Sequence, residues 1–263
     1  MNQFWRSVGT FVLCFLFASS LWLIYDQKKP QIILQLRNIQ AKILHKPTLV
    51  FFTLPEGKSR QAIIVGSSKV RLDVYRPADK KKTPVVILLH GSGGIEDQIR
   101  SERYHRFAMD LMNDGITAIN VYYFDSSQDQ WQGTVRAVID YAMRIRGVDS
   151  DKVGLVGYSL GGTLALSVAS QDARVKALAL ASGTLPIGFN GDQAKLLPPT
   201  AFITGDKDKS FAALQQLRQW FKSYKKPIEF KINPGQGHVI ESMDEFYADW
   251  NELRGFLSKI LKK

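Results

Sequence analysis

This chain of 263 residues has one cysteine, four histidines and a shortage of acidic side chains. The cysteine, Cys14, lies inside an N-terminal apolar run. It can form no intramolecular disulfide, no cysteine metal cluster and no thiol nucleophile in a folded domain. The histidines His45, His90, His105 and His238 never fall as H-x-x-x-H, and no acidic cluster accompanies them, so no pattern calls for a metal or cofactor. Asp and Glu number 24 against 35 Lys and Arg, a formal charge of +11. The basic residues (Lys80 to Lys82, Lys222, Lys225, Lys226, Lys262, Lys263) are scattered among acids and form no aromatic-rich stripe. No nucleic-acid module is recognisable, and an anionic lipid surface is the better partner for the excess charge. Repeats and low-complexity tracts are absent. A hydrophobic content of 45% and a charged content of 22% describe a globular chain. Its length leaves room for one α/β domain and an N-terminal appendage.

The appendage reads in two parts. Ser7 to Tyr25 is uncharged and mostly apolar, and about nineteen residues at helical rise just span a bilayer core. Residues 1–29 are therefore expected to be a signal peptide or signal-anchor. Ala18-Ser19-Ser20 offers a cleavage site, but apolar residues continue past it and favour a retained anchor. Lys28, Lys29, Arg37 and Lys42 follow the run and argue for a domain on the cytoplasmic face. A short basic start before one apolar segment argues for export, which is the favoured reading. Residues 30–59 form a linker in which Ile32, Leu36, Ile39 and Ile43 recur at helical spacing. A basic amphipathic helix on the membrane and a helix packed on the domain fit this pattern equally.

From residue 60 to 263, strand and helix patterns alternate. Ala62 to Val65 and Val70 to Tyr75 flank Gly66-Ser67-Ser68 as a hairpin at the sheet edge, with Val70, Leu72 and Val74 opposite Arg71 and Asp73. Strands are expected at 84–89, 116–123, 152–156, 175–181, 199–204 and 227–232, and helices at 104–113, 132–146, 211–224 and 244–261. Apolar strands alternating with helices predict an α/β fold with a mostly parallel central sheet and helices on both faces. Only Ser182 to Pro198 separate two of the strands, which is room for a loop and not for a large cap domain. An open site follows, suited to small or exposed acyl groups, with Tyr158, Tyr123, Phe124 and Phe189 as candidate walls.

Four motifs carry the chemistry. Gly157-Tyr158-Ser159-Leu160-Gly161 is G-x-S-x-G between a strand and a small-residue helix. That context turns the chain sharply and exposes the Ser159 hydroxyl over a helix N-terminus. The strand at 84–89 ends in His90-Gly91-Ser92-Gly93-Gly94, whose backbone N–H groups can approach a ligand closely. Donors for a developing oxyanion are expected from Ser92 or Gly93 together with the amide of Leu160. His90 is expected to pin this loop. Gly205-Asp206-Lys207-Asp208 closes a later strand, and Asn233 to His238 closes the next. Of the histidines only His238 follows Ser159 in the chain, so it is the candidate general base. Asp208 is favoured over Asp206 as its carboxylate partner, with Asp206 stiffening the turn. The chain order Ser…Asp…His completes a nucleophilic constellation.

The set HGSGG, GYSLGG, GDKD and GQGH resembles the α/β-hydrolase superfamily, and in detail the dienelactone hydrolase group with its esterase and peptidase-like relatives. The resemblance runs from about residue 60 to the C-terminus. It implies a hydrolase acting on a small-molecule acyl substrate, without a cofactor, and an acid three positions after a glycine, as Asp208 follows Gly205. Dienelactone hydrolases proper carry a cysteine nucleophile, whereas position 159 is serine. That departure points to an ester, thioester or amide as the substrate. A non-catalytic binding protein on the same scaffold and an acyltransferase are the alternatives.

Overall fold

The computed structural model describes residues 57–78, 81–95, 98–238 and 243–263. The expected apolar run at 7–25 and amphipathic segment at 31–46 lie outside the described residues, as does His45. Among the described residues no helix is long and apolar enough to cross a membrane. Eight strands of the described residues form one sheet: β1 (Lys58–Val65), β2 (Ser68–Tyr75), β3 (Thr83–Leu89), β4 (Thr117–Val121), β5 (Val148–Tyr158), β6 (Val175–Ala181), β7 (Thr200–Gly205) and β8 (Ile228–Asn233). Their spatial order is β1-β2-β4-β3-β5-β6-β7-β8. The first hairpin is antiparallel and β2 joins β4 antiparallel. Every later pairing is parallel.

Helices connect the parallel strands: α1 (Gln98–Asn113), α2 (Trp131–Arg144), α3 (Leu160–Ala169), α4 (Gly191–Leu196), α5 (Phe211–Ser223) and α6 (Met243–Leu261). They cover both faces of the sheet, because β3 is apolar from Pro84 onward and buried at every position. Its period of two divides the core. Val85, Ile87 and Leu89 pack towards α2, α3 and α5. Val86 and Leu88 pack with Tyr104, Phe107 and Leu111 of α1 and with Trp250, Leu253 and Leu257 of α6. Burial of one such side chain contributes roughly 1.5–3 kcal/mol, so the two clusters dominate the domain's cohesion.

The Arg71/Asp73 side of β2 is not a solvent face, since Asp73 is buried. Arg60 grips its carboxylate with two hydrogen bonds of 2.7 and 3.0 Å, and the Tyr122 hydroxyl donates a third at 3.1 Å. Burial raises the Asp73 pKa, but the Arg60 guanidinium outweighs it and holds the carboxyl below its ordinary range. The segment from Ser182 to Pro198 is also more than a loop. It contains α4, fixed by a capping box in which Asn190 accepts from the Gln193 amide and the Gln193 side chain accepts from the Asn190 amide. No large cap is present among the described residues.

Candidate active site

The parallel strands end together at one edge of the sheet, and three of their loops build the site. β5 delivers the first. Ser159 stands between the last residue of β5 and the first of α3 with φ 52° and ψ −119°. L-residues avoid this region, and the strain is of order 1–3 kcal/mol. Close packing enforces it. A Cβ at Gly157 would lie 2.3 Å from the Gly161 carbonyl oxygen, and one at Gly161 would lie 2.2 Å from that of Leu89. The Ser159 amide donates to Ala181 O at 2.9 Å, which ties the turn to β6. Leu160 opens α3, so its amide belongs to the first-turn N–H groups that have no acceptor within the helix.

The loops after β7 and β8 bring the other two groups. Gly205 lets them touch, since a Cβ there would lie 2.1 Å from Gln236 O. The Lys207 amide donates to Gln236 O at 2.9 Å, and the Gly235 amide donates to the Asp206 carboxylate at 2.8 Å. Asp206 therefore staples the turn that carries His238. Asp208 is buried, and its two oxygens have different tasks. Oδ1 accepts from the Ser210 amide and the Ser210 hydroxyl, both at 2.9 Å. Oδ2 lies 2.9 Å from His238 Nδ1. His238 Nε2 lies 2.7 Å from Ser159 Oγ. The fold thus places Ser159, His238 and Asp208 in one hydrogen-bonded line. Burial pushes the Asp208 pKa up, but the Ser210 donors and His238 outweigh it and hold the carboxyl below its ordinary range. A charged carboxylate so placed keeps the proton of a neutral imidazole on Nδ1, which leaves Nε2 as an acceptor facing Ser159.

The glycine-rich loop after β3 closes the site. His90 is buried and Nδ1–H donates to Gly91 O at 2.8 Å. Its ring stacks on Tyr123 with centroids 4.1 Å apart, and the Tyr123 hydroxyl donates to the His90 carbonyl. His90 is therefore a pin beneath the loop. Ser92 and Gly93 are exposed beyond it and line the same cavity as Ser159 and His238. His105 lies elsewhere, hydrogen-bonded to the Tyr75 hydroxyl.

That cavity measures about 490 Å³, within the range of small-molecule sites. Of the expected walls only Tyr158 lines it. Tyr123 lies under His90, Phe124 stacks on Trp131, and Phe189 packs beside Trp220. The cavity instead runs between α1 and α6, where Tyr104, Phe107, Trp250 and Leu253 supply an apolar wall. Phe107 and Trp250 stack at 4.2 Å, and the Trp250 indole donates to Asp110 at 2.9 Å. Arg100 and Arg103 of α1 also reach the cavity, and the Arg100 guanidinium lies against Gly93. These residues escaped the sequence reading, although Arg100, Arg103, Tyr104 and Phe107 share one helical face directly after the glycine loop. Two helices thus wall the site, where the short segment at 182–198 had suggested an open one.

Comparison with known proteins adds the family. The model of the dienelactone hydrolase family matches residues 71–247, a span that includes all three residues of the hydrogen-bonded line. A 31.7 kDa protein in the traX–finO intergenic region of Escherichia coli is 33% identical over 204 residues, 74% of this chain and 63% of that protein. The quorum-quenching protein AidA of Acinetobacter baumannii is 28% identical over 116 residues, 40% of this chain and 37% of that protein. The chain thus spans less than two thirds of the length of both curated relatives. The structure of Est1E from Butyrivibrio proteoclasticus superposes with a TM-score of 0.61 at 18% identity, covering 78% of this chain and 99% of that one. The shared fold is that of the α/β-hydrolases.

Proposed function

The chain belongs to the dienelactone hydrolase family, and from that premise we propose that it is a hydrolase that cleaves an ester, thioester or amide through a covalent acyl-serine. The observation that carries this reading is the line Ser159–His238–Asp208, with contacts of 2.7 and 2.9 Å, at the mouth of an apolar cavity. Ser159 Oγ attacks the acyl carbonyl carbon while His238 Nε2 takes the hydroxyl proton. The Leu160 amide and those of Ser92 or Gly93 receive the charge on the carbonyl oxygen, a contribution of about 10²–10³ in turnover per donor. Collapse breaks the bond to the leaving group, which departs with the proton held on His238. Water then attacks the acyl-serine, His238 takes its proton, and the acid leaves as Ser159 Oγ recovers a proton. Asp208 stays ionised throughout and stabilises the imidazolium.

A fluorophosphonate probe tests the assignment. Intact protein should be labelled at Ser159, located by peptide mass spectrometry, and labelling should vanish in Ser159→Ala. Folded protein that resists the probe and turns over no activated ester, thioester or amide would be a binding protein on this scaffold. The apolar run at residues 7–25 supports a further element of the proposal, that the domain is held at a membrane on the extracytoplasmic side. Alkaline extraction of membranes and protease access to the domain in intact cells test it.

A further inference from the structure

Three of the large apolar side chains that stand exposed among the described residues share one face of the domain. Ile187 is 107% exposed, Leu196 67% and Tyr224 36%. Ile187 and Leu196 belong to the segment between β6 and β7, and Tyr224 caps α5. Contacts join the two pieces. Phe189 packs beside Trp220 at 6.2 Å, the Tyr224 hydroxyl closes over Gly191, and the Lys226 ammonium donates to Lys195 O. The segment starts next to the site, because Gly183 packs on Gly162 of α3 and the Thr184 amide donates to Thr163 Oγ1. Across residues 182–198 and 211–226 the charged side chains are Lys195, Arg218, Lys222, Lys225 and Lys226 against one acid, Asp192.

We propose that this face docks the domain on an anionic phospholipid surface, with Ile187 and Leu196 entering the headgroup layer and the lysines against lipid phosphates. The proposal rests on the membrane reading of residues 7–25, and it adds an orientation that a tether alone does not impose. Exposed apolar side chains on two segments whose charge is mostly basic match such a surface in both its terms, buried apolar area and counter-charge. A second copy of this chain would bring lysine against lysine.

The test uses the full chain carrying Cys14→Ser and Ile187→Cys, labelled at position 187 with an environment-sensitive dye. The labelled chain is bound to vesicles of phosphatidylcholine alone or mixed with phosphatidylglycerol. Flotation reports whether the chain is on the membrane, and so tests the tether separately. The dye should shift to the blue and be quenched by a lipid-borne quencher in the anionic vesicles, and should stay aqueous on neutral ones. Each lysine near such a surface changes partition about fivefold, so Lys195→Gln with Lys222→Gln should lower the docked-to-undocked ratio about 25-fold. A dye that remains aqueous on floated anionic vesicles overturns the proposal. So does equal quenching on both vesicle types. A dye shielded from aqueous quencher but untouched by the lipid quencher means that protein covers this face, and also overturns it.

Discussion

Replacing Asp208 by Asn should separate the two aspartates of the β7 loop and expose how the site controls a proton. The side chain keeps its shape, so the outcome depends on which way the amide turns. Oδ1 of Asp208 accepts two hydrogen bonds from Ser210, and Oδ2 accepts one from His238. An Asn oxygen that keeps both Ser210 donors leaves its NH₂ group facing His238 Nδ1. The imidazole must then accept at Nδ1 and carry its proton on Nε2, the atom 2.7 Å from Ser159 Oγ. A protonated Nε2 cannot take the serine proton. The opposite rotamer keeps the tautomer but sets an NH₂ against two buried donors, at a cost of about 1–3 kcal/mol for each unsatisfied group. The first rotamer therefore dominates, and the same substitution in a well-studied serine protease lowered turnover about 10⁴-fold. That is equivalent to roughly 5 kcal/mol of barrier. Asp206→Asn keeps an oxygen for the Gly235 amide and should lower turnover by less than about tenfold, because it weakens one exposed hydrogen bond of ~0.5–1.5 kcal/mol. The assay is hydrolysis of one activated ester by purified variants, with thermal melts to show that each is folded. A dead Asp206→Asn beside a healthy Asp208→Asn would refute the reasoning and exchange the two roles. Activity in both would remove the carboxylate from the mechanism.

Other outcomes follow from the same geometry. Ser159→Ala and Ser159→Gly should both lose about 10⁶ in turnover, yet the glycine variant should be the more stable by roughly 1 kcal/mol, since glycine adopts φ 52° freely and loses only part of that gain to unfolded-state entropy; equal urea midpoints would mean the turn stores no strain. Gly161→Ala should prevent folding or cost more than about 4 kcal/mol, because its Cβ meets the backbone oxygens of Leu89 and His90 at 2.2 and 2.5 Å; a soluble variant with a wild-type urea midpoint would contradict this. Asp73, Asp172 and Asp208 all have lowered folded-state pKa values, so the unfolded chain takes protons first on acidification. Their stabilisation is complete above the ordinary carboxylate range near ~4 and is lost as pH falls through the folded values; urea midpoints from neutral pH downward should drop, with a shallower slope in Asp73→Asn. Trp250→Ala removes the ring stacked on Phe107 and should raise KM about tenfold or more for bulky acyl esters while sparing acetyl esters; a chain-length profile that stays parallel to wild type would show that acyl groups bind elsewhere.

The parts of the site that were legible in the sequence share a cause. G-x-S-x-G, HGSGG and GDKD are each contiguous, so each can be read before it is known which distant backbone its glycines admit, Leu89 at Gly161 and Gln236 at Gly205. The strand pattern was equally local. β6 runs from Val175 to Ala181 as its apolar run indicates, and boundaries elsewhere moved by a few residues. β1 and β2 extend beyond their apolar stretches because ladder pairing continues through polar residues such as Lys58 and Ser68, and β5 begins earlier because Val148 pairs with Thr83. The choice of Asp208 as the partner of His238 was reachable from spacing alone, because three positions past Gly205 leave the chain time to turn back.

The cavity wall was not legible, for a reason that periodicity cannot remove. The pattern of α1 shows that Tyr104 and Phe107 lie on an apolar face, and that of α6 shows the same for Trp250 and Leu253. Nothing in either segment says that the two faces meet. The Trp250 indole reaches Asp110 across 140 positions, and that contact exists because both helices cross the same side of the sheet. Asp73 makes the same point: alternation placed it opposite Val74, and its burial was decided by Arg60 of β1 and by Tyr122 just after β4. The sequence by itself therefore determined the fold class, the sharp turn at Ser159 and the order of the reactive groups, since each depends on neighbours within a few residues. Only the tertiary structure decided the alignment of Ser159, His238 and Asp208 and the shape and lining of the cavity beside them, since these depend on where separate strands end and on which helical faces come to share one core.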